Sequence, residues 1–430
     1  MSARLFIDVT HTWHSGANTG IQRVVRNLAD WGPRLAAEID PDFTVQPVVW
    51  AGLGYVPVDE VGTEPSWLYR WHARRRGNGS PEPTGEESAE ARARSPLSFW
   101  RRAPRQAASF LGAPRSRRVR LRRGDRLLLA DAFWHHPHQW SAIDRWRGSG
   151  VEVTALLYDL IPHRLPETFP ARVVRSFREY LTTVLPRVDR IVTISEATAA
   201  DLRAFVEEEQ LTGVPEAVPF TLGVDFAEAV ATEPSAEVEA AIAEAEAPTA
   251  LIVGSIEPRK DHRTLLRAFE AEWARGGHGS LWIVGGTGWE SDAFLAELAN
   301  HPERGKRLRH LTGVSDGDLD RLYRHATVTV CPSKLEGFGL PVIEAVTRGC
   351  PVLASDIPSH REIAARGDGV EEACGFFAVG DGSDLARQLF AQERRQRPQG
   401  LRWPTWSDAT AELLETLQAD IVEPKHGVRR

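Results

Sequence analysis

An α/β protein made of two doubly wound domains that face each other across a cleft is the fold class predicted for this 430-residue chain. Two observations predict it. The chain exceeds what one core organises, since a domain takes roughly 100–200 residues. Apolar strand-like runs also alternate with helix-like runs in two separate series, the pattern of right-handed βαβ units and open parallel sheets. The boundaries read as 1–222 for the first domain, 223–404 for the second and 405–430 for a C-terminal helix and tail.

In the first series, LFIDV (5–9) predicts a buried strand, HTWHSGANTG a glycine-containing loop, IQRVVRNLADWGPRLAAEI an amphipathic helix and TVQPVVWA (44–51) a second strand. GDRLLLAD (124–131), VEVTALLYDLIP (151–162) and VDRIVTISEATAADL (188–202) each read as a strand running into a loop or helix. The junction PEAVPFTLGVD (215–225) reads as the hinge. In the second series, strands are expected at TALIVGSI, SLWIVGG, LRHLTG, TVTVCPS and PVLASD. The helices between and after them are DHRTLLRAFEAEWARGG, WESDAFLAELANH, DGDLDRLYRHA, PVIEAVTRG and PSHREIAARG. TWSDATAELLETLQADIV (405–422) is a last helix whose domain partner the sequence leaves open. Ligands of such sheets bind at the carboxyl ends of the strands.

Composition narrows the classes. No apolar run approaches the roughly 18 residues of a membrane span. MSARLFIDVT lacks the pattern of an export signal. Cys331, Cys350 and Cys374 have no metal-binding spacing and fit a reducing, cytoplasmic setting. The net charge of −7 conceals an asymmetry: residues 91–123 hold 11 arginines and no acid, which leaves the rest of the chain at −18. That segment, with Phe99, Trp100, Phe110 and Leu111, lies within 72–123, which reads as a basic, partly flexible insertion. It is either a solvated excursion or a dock for the anionic inner leaflet of the cell membrane. Basic character confined to one insertion argues against nucleic acid as a partner.

The chemistry concentrates in CPSKLEGFGLPVIEAVTRGCPVLASD (331–356). Pro341 suits a helix start and Gly349 a helix stop, which places Glu344 in the first turn of an otherwise apolar helix. A buried carboxylate needs donors, from backbone N–H groups or from ligand hydroxyls. Vicinal sugar hydroxyls suit it, and Gly337 and Gly339 would let the loop backbone approach a phosphate. Glu336, on the near side of that loop, completes a candidate nucleotide-sugar site. A helix-capping acid and a solvated loop acid are the plainer reading of the same pair. GSIEPRKDH (254–262) leaves a strand and delivers Arg259 and Lys260 to the same end of the sheet, where two cations would neutralise a diphosphate. GGTGWE (285–290) and TGVSDGDL (312–319) are further strand exits with compatible glycines.

Taken together, these stretches resemble a retaining glycosyltransferase of the GT-B fold, in the large family 4. The E-x7-E pair Glu336/Glu344 carries the likeness, supported by IEPRKDH and by TGVSDGDLDRLYRHATVTVCPS. The likeness is strong over 215–395. In the first half DVTHTWHSGANTGIQRVVRNL, LLYDLIPHRLPETF and IVTISEATAADL resemble the subgroup of bacterial O-antigen and exopolysaccharide mannosyltransferases. The resemblance implies two Rossmann-like domains, with the acceptor side in the first and the nucleotide-sugar side in the second. It implies that Glu336, Lys260 and Arg259 are catalytic, the two cations holding the donor diphosphate and Glu336 the transferred sugar. It implies that Glu344 binds ribose, and that Phe338, Gly339 and Leu340 meet sugar and phosphate through their backbone. Gly337, Ser255, Gly286 and Val314 would complete the donor site, and Gly20 would approach the diphosphate from across the cleft. Asp159, with Tyr158 and His163, would line the acceptor side.

Two positions depart from the family pattern. Ser255 stands where many members have an arginine, and Tyr158-Asp159 stands where many have His-Asp, so His163 is considered as a substitute imidazole. The implied chemistry is front-face retention without metal or cofactor, with a nucleotide sugar, best read as GDP-mannose, as co-substrate and a glycan or lipid-linked molecule as acceptor. A nucleotide-sugar epimerase on the same fold and a non-catalytic nucleotide- or glycan-binding protein are the alternatives.

Overall fold

The computed structural model describes residues 4–15, 19–52, 54–62, 118–224, 234–367, 369–391, 397–398 and 401–419. The hydrophobic and arginine-rich part of the insertion up to residue 117, position 225 of the hinge, and the tail beyond 419 lie outside them. Two sheets organise the molecule. The first comprises β1 (Arg4–Asp8), β2 (Thr44–Trp50), β3 (Tyr55–Pro57), β4 (Arg126–Leu129), β5 (Glu152–Leu157), β6 (Arg190–Thr193) and β7 (Ala217–Pro219). Their order is β3-β2-β1-β4-β5-β6-β7, parallel throughout except for the β2–β3 pair. The second comprises β8 (Thr249–Val253), β9 (Ser280–Val284), β10 (Leu308–Leu311), β11 (Val328–Cys331), β12 (Val352–Ser355) and β13 (Cys374–Phe377). It is wholly parallel, in the order β10-β9-β8-β11-β12-β13. Renumbered from its first strand, this is the doubly wound order 3-2-1-4-5-6, whose switch point lies between β8 and β11.

The strands read as continuous apolar runs because helices cover both faces. Leu127, Leu128 and Leu129 of β4 are fully buried, as are Ala155, Leu156 and Leu157 of β5. The predicted strands appear at their expected places, trimmed by up to three residues at the exits. One loop expectation is corrected: the first half of HTWHSGANTG, with Thr10 before it, forms a short helix, Thr10–Ser15. Its first turn is held by Asp8, which accepts from the Thr10 backbone N–H at 3.0 Å, and by Asp131, which accepts from the Thr12 N–H at 2.6 Å.

The helix Leu340–Thr347 starts one residue earlier than the proline predicts. Gly339, at φ +111°, turns the chain into it, and a Cβ there would lie 2.9 Å from the His360 ring. Glu344 is therefore the fifth helical residue, in the second turn rather than the first, and the unpaired N–H groups of the helix start are not its donors.

The terminal helix Trp406–Gln418 returns to the first domain and packs on the helix Gly20–Ile39. Trp406, Ala409, Leu413, Leu414 and Leu417 form its buried stripe at helical spacing. Arginines at the starts of β4 and β6 receive its last carbonyls: Arg126 donates to Gln418 O at 3.0 Å and Arg190 to Ala419 O at 2.7 Å. Replacing Leu413, 1 % exposed, by alanine should cost about 2–5 kcal/mol. Urea denaturation should show a lowered midpoint at unchanged slope.

Candidate functional site

The two exits flanking the switch point of the second sheet build the centre of the site. After β8 the chain makes a single helical turn, Pro258–Lys260, and Asp261, at φ +51°, redirects it into the helix His262–Ala274. After β11 it runs through Ser333 and Glu336 to Gly339. The backbone joins the two exits where Lys334 N–H donates to Arg259 O at 2.7 Å. Glu336 then receives three donors: Arg259 Nη1 at 2.7 Å, Ser333 Oγ at 2.7 Å and Lys260 Nζ at 3.2 Å. Burial pushes its carboxyl towards neutrality, but Arg259 and Lys260 prevail and hold it well below the usual carboxylate range. Burial likewise opposes the charge on Arg259, and Glu336, Glu257 and Asp159 more than offset it, raising that guanidinium above its ordinary value. Glu257 also receives Arg259 Nε at 2.8 Å and Ser255 Oγ at 2.6 Å. The serine that departs from the family pattern thus orients the acid that orients Arg259.

Glu344, 3 % exposed, is satisfied from two sides. Tyr323 donates its hydroxyl to Oε2 at 3.1 Å, and Arg23 of the first domain forms an ion pair with Oε1. The sequence reading missed Arg23. Its one signal is an arginine in the opening turn of a helix, where the macrodipole disfavours a cation.

The first domain meets this loop at the exits of β5 and β6. A Cβ on Gly337 would lie 2.1 Å from Tyr158 O, so only glycine permits the approach. Gly337 O accepts from Ser195 Oγ at 2.6 Å, with Thr198 Oγ1 3.1 Å away. Glu362 of the second domain accepts the N–H groups of Glu196 and Ala197 at 3.0 and 2.8 Å, and so caps a helix of the first domain. Asp159 stands beside Arg259 and accepts from Ile161 N–H at 2.9 Å. Burial raises its pKa to about 6, against the lowering pull of Arg259.

Glu336, Arg259, Lys260, Gly337 and Asp159 are therefore brought together. Phe338 is buried edge-on against Trp403, and Leu340 opens the helix behind the loop. Gly20 begins its helix with open space around it. Gly286 and Val314 sit on the exits of β9 and β10. Two acceptor-side expectations are corrected. Tyr158 is 3 % exposed and its hydroxyl donates to Ala130 O at 2.6 Å, so it serves the core and does not face the cleft. His163 packs edge-on against Phe205 of the helix Glu196–Glu208, with ring centroids 4.8 Å apart. Two buried acids at the same sheet edge went unpredicted: Asp8, which burial raises to about 7, and Asp131. Among the described residues no group of three or more His, Cys, Asp and Glu side chains is placed to hold a metal ion.

Two doubly wound domains meeting at their sheet edges over a phosphate-suited ion cluster define the GT-B class of protein. The α,α-trehalose-phosphate synthase (UDP-forming) of Burkholderia xenovorans has this fold, with a TM-score of 0.59 at 14% identity over 97% of this chain and 100% of that one. Residues 236–389 match the family model described as "Glycosyl transferases group 1", and the chain carries that glycosyltransferase domain. Two serotype-specific mannosyltransferases WbdA of Escherichia coli are similar in sequence. One is 28% identical over 428 residues, covering 96% of this chain and 46% of its own length. The other is 32% identical over 307 residues, covering 68% and 36% respectively. The chain thus spans less than half the length of these relatives.

The raised pKa of Asp159 has a sign. Between its ordinary value of 3.8 and about 6 the folded state binds the proton that the unfolded state has lost. Its contribution to stability is therefore greatest below pH 4 and is lost as pH rises through 6. Asp159→Asn should flatten that part of the stability profile by up to about 3 kcal/mol, read as urea midpoints from pH 4 to 7.

Proposed function

We propose that this chain transfers a sugar from a nucleotide-sugar donor to a glycan or lipid-linked acceptor with retention of configuration, in bacterial surface polysaccharide synthesis. Mannose from GDP-mannose is the donor reading, supported by the names of the sequence relatives. The observation that carries the proposal is Glu336 held between Arg259 and Lys260 at the switch point of the second sheet, opposite Asp159.

In this reading the diphosphate of the donor takes over Arg259 and Lys260, which stabilise the charge that develops as the sugar–phosphate bond breaks. Glu336, released from part of its pairing, accepts hydroxyls of the transferred sugar. The acceptor oxygen forms the new bond on the face the phosphate leaves, and a phosphate oxygen receives the acceptor's proton. Glu344 uses its remaining lone pairs for the ribose hydroxyls, since a carboxylate accepts about four hydrogen bonds. The proposed reaction needs no metal, because the two cations neutralise the leaving group. Contact between the domains at Gly337 would exclude water from the donor and limit its hydrolysis. A cytoplasmic site of action, at the membrane face where lipid-linked acceptors lie, belongs to the same proposal.

A panel of GDP-mannose, UDP-sugars and dTDP-rhamnose with glycan acceptors tests it, with product anomers assigned by NMR. Transfer should occur with retention and should survive a chelator. Lys260→Ala and Glu336→Gln should each lower kcat/KM by about 10²–10³-fold, whereas Glu344→Gln should act mainly on the donor KM. Undiminished transfer in Lys260→Ala or Glu336→Gln would sink the assignment. Release of an epimerised sugar without acceptor would replace it with the epimerase reading.

A further inference from the structure

The far end of the first sheet holds a second basic site. Residues 118–122, RVRLR, run extended beside β3, with Val119 N–H donating to Tyr55 O at 2.9 Å. The alternation has a physical outcome. Val119 and Leu121 pack on the core, while Arg118, Arg120 and Arg122 line a cavity of about 650 Å³ together with Arg4. The cavity opens at the amino ends of β1 and β2, where Arg4 and Thr44 are the first residues. None of the residues lining it belongs to the cluster of Glu336, Arg259, Lys260 and Asp159.

The charge here is unbalanced. Among the described residues lining the cavity none is acidic. Asp125, behind the wall, pairs with Arg4 at 2.6 and 2.8 Å and accepts Arg122 N–H at 2.6 Å, which accounts for one of the four guanidinium charges. The Nε of Arg118 is shut off from solvent and has no acceptor among the described residues. A desolvated guanidinium donor is ordinarily satisfied, and several planar forks converging on one hollow match a tetrahedral oxyanion better than a single carboxylate.

We propose that this cavity is a binding site for a phosphate group, separate from the donor site and reading phosphate on a lipid headgroup or on a soluble molecule. The site does not depend on the glycosyl-transfer reading. Its test uses the full chain carrying Lys260→Ala, which removes one of the two donor-site cations, and every comparison is made within that background. Inorganic pyrophosphate is titrated by calorimetry, and vesicles of equal parts phosphatidylglycerol and phosphatidylcholine are used in co-sedimentation. Arg118→Gln/Arg120→Gln should weaken binding of at least one probe by about tenfold or more. Loss of pyrophosphate binding identifies a soluble phosphate, and loss confined to vesicles identifies a headgroup. Binding of neither probe, or binding unchanged by the double substitution, would overturn the proposal. If circular dichroism shows the double variant unfolded, Arg120→Gln alone, at an exposed position, carries the same test.

Discussion

The carboxylate of Glu336, set among Ser333, Lys260 and Arg259, is the contact on which the second domain's working edge depends. Taking charges out of water costs several kcal/mol per ion, and the attraction repays that cost only when the geometry is complete. Here each carboxylate oxygen has a charged donor, and Arg259 itself is held between Glu336 and Glu257. The consequence is positional. β8 and β11 pair with each other only as far as Leu251 and Thr329, and beyond that point the ion cluster and the Lys334–Arg259 backbone bond join their exits. A diphosphate would meet cations already aimed and spaced, which is the pre-organisation that electrostatic catalysis requires.

The same loop carries the contact between domains. Gly337 lies directly after Glu336, and the absence of its side chain lets the exit of β5 come against it. Ser195 then ties its carbonyl to the first domain. Asp159 follows Tyr158 on the opposing exit and faces Arg259, so the acid nearest the cluster from across the cleft is positioned by the residue whose backbone Gly337 touches. Tyr158 contributes through this backbone placement and through its hydroxyl bond to Ala130. The phenol in place of an imidazole thus leaves the wall intact while removing a titrating group from it.

Much of this was legible in the sequence because it is local. Strands buried on both faces read as apolar runs, and the spacing of Glu336 from Glu344 spans one loop and one helix. Arg259 and Lys260 were legible because they are adjacent and leave a strand. What stayed hidden was long-range partnership. Nothing local says that Arg23 meets a residue 321 positions away, or that the helix Trp406–Gln418 crosses back to the first domain. The roles given to Tyr158 and His163 failed for a related reason: a loop residue's direction is set by its packing neighbours, Ala130 O for the first and Phe205 for the second. Glu344 falls in the second turn because Leu340, preceded by Gly339 as the cap, begins its helix one residue before Pro341.

That displacement changes how the two acids of the pair differ. Glu336 takes all three of its donors from its own domain, and Asp159 of the first domain bears on the same cluster only through space. Glu344 takes its side-chain ion pair from the other domain, and without Arg23 it keeps the hydroxyl of Tyr323 as a donor and the charge of Arg348 nearby. A carboxylate that is 3 % exposed and left with one neutral donor is costly. The Arg23 pair therefore favours the domain arrangement described here, and Arg23 gains by it as well, since its guanidinium is raised above its ordinary value chiefly by Glu344. The helix that begins at Gly20 thus bears on the second domain through a single buried charge, whereas the helix Glu196–Glu208 does so through Glu362 at its amino end. Two acids of the second domain, Glu344 and Glu362, thus each meet the opening turn of a first-domain helix.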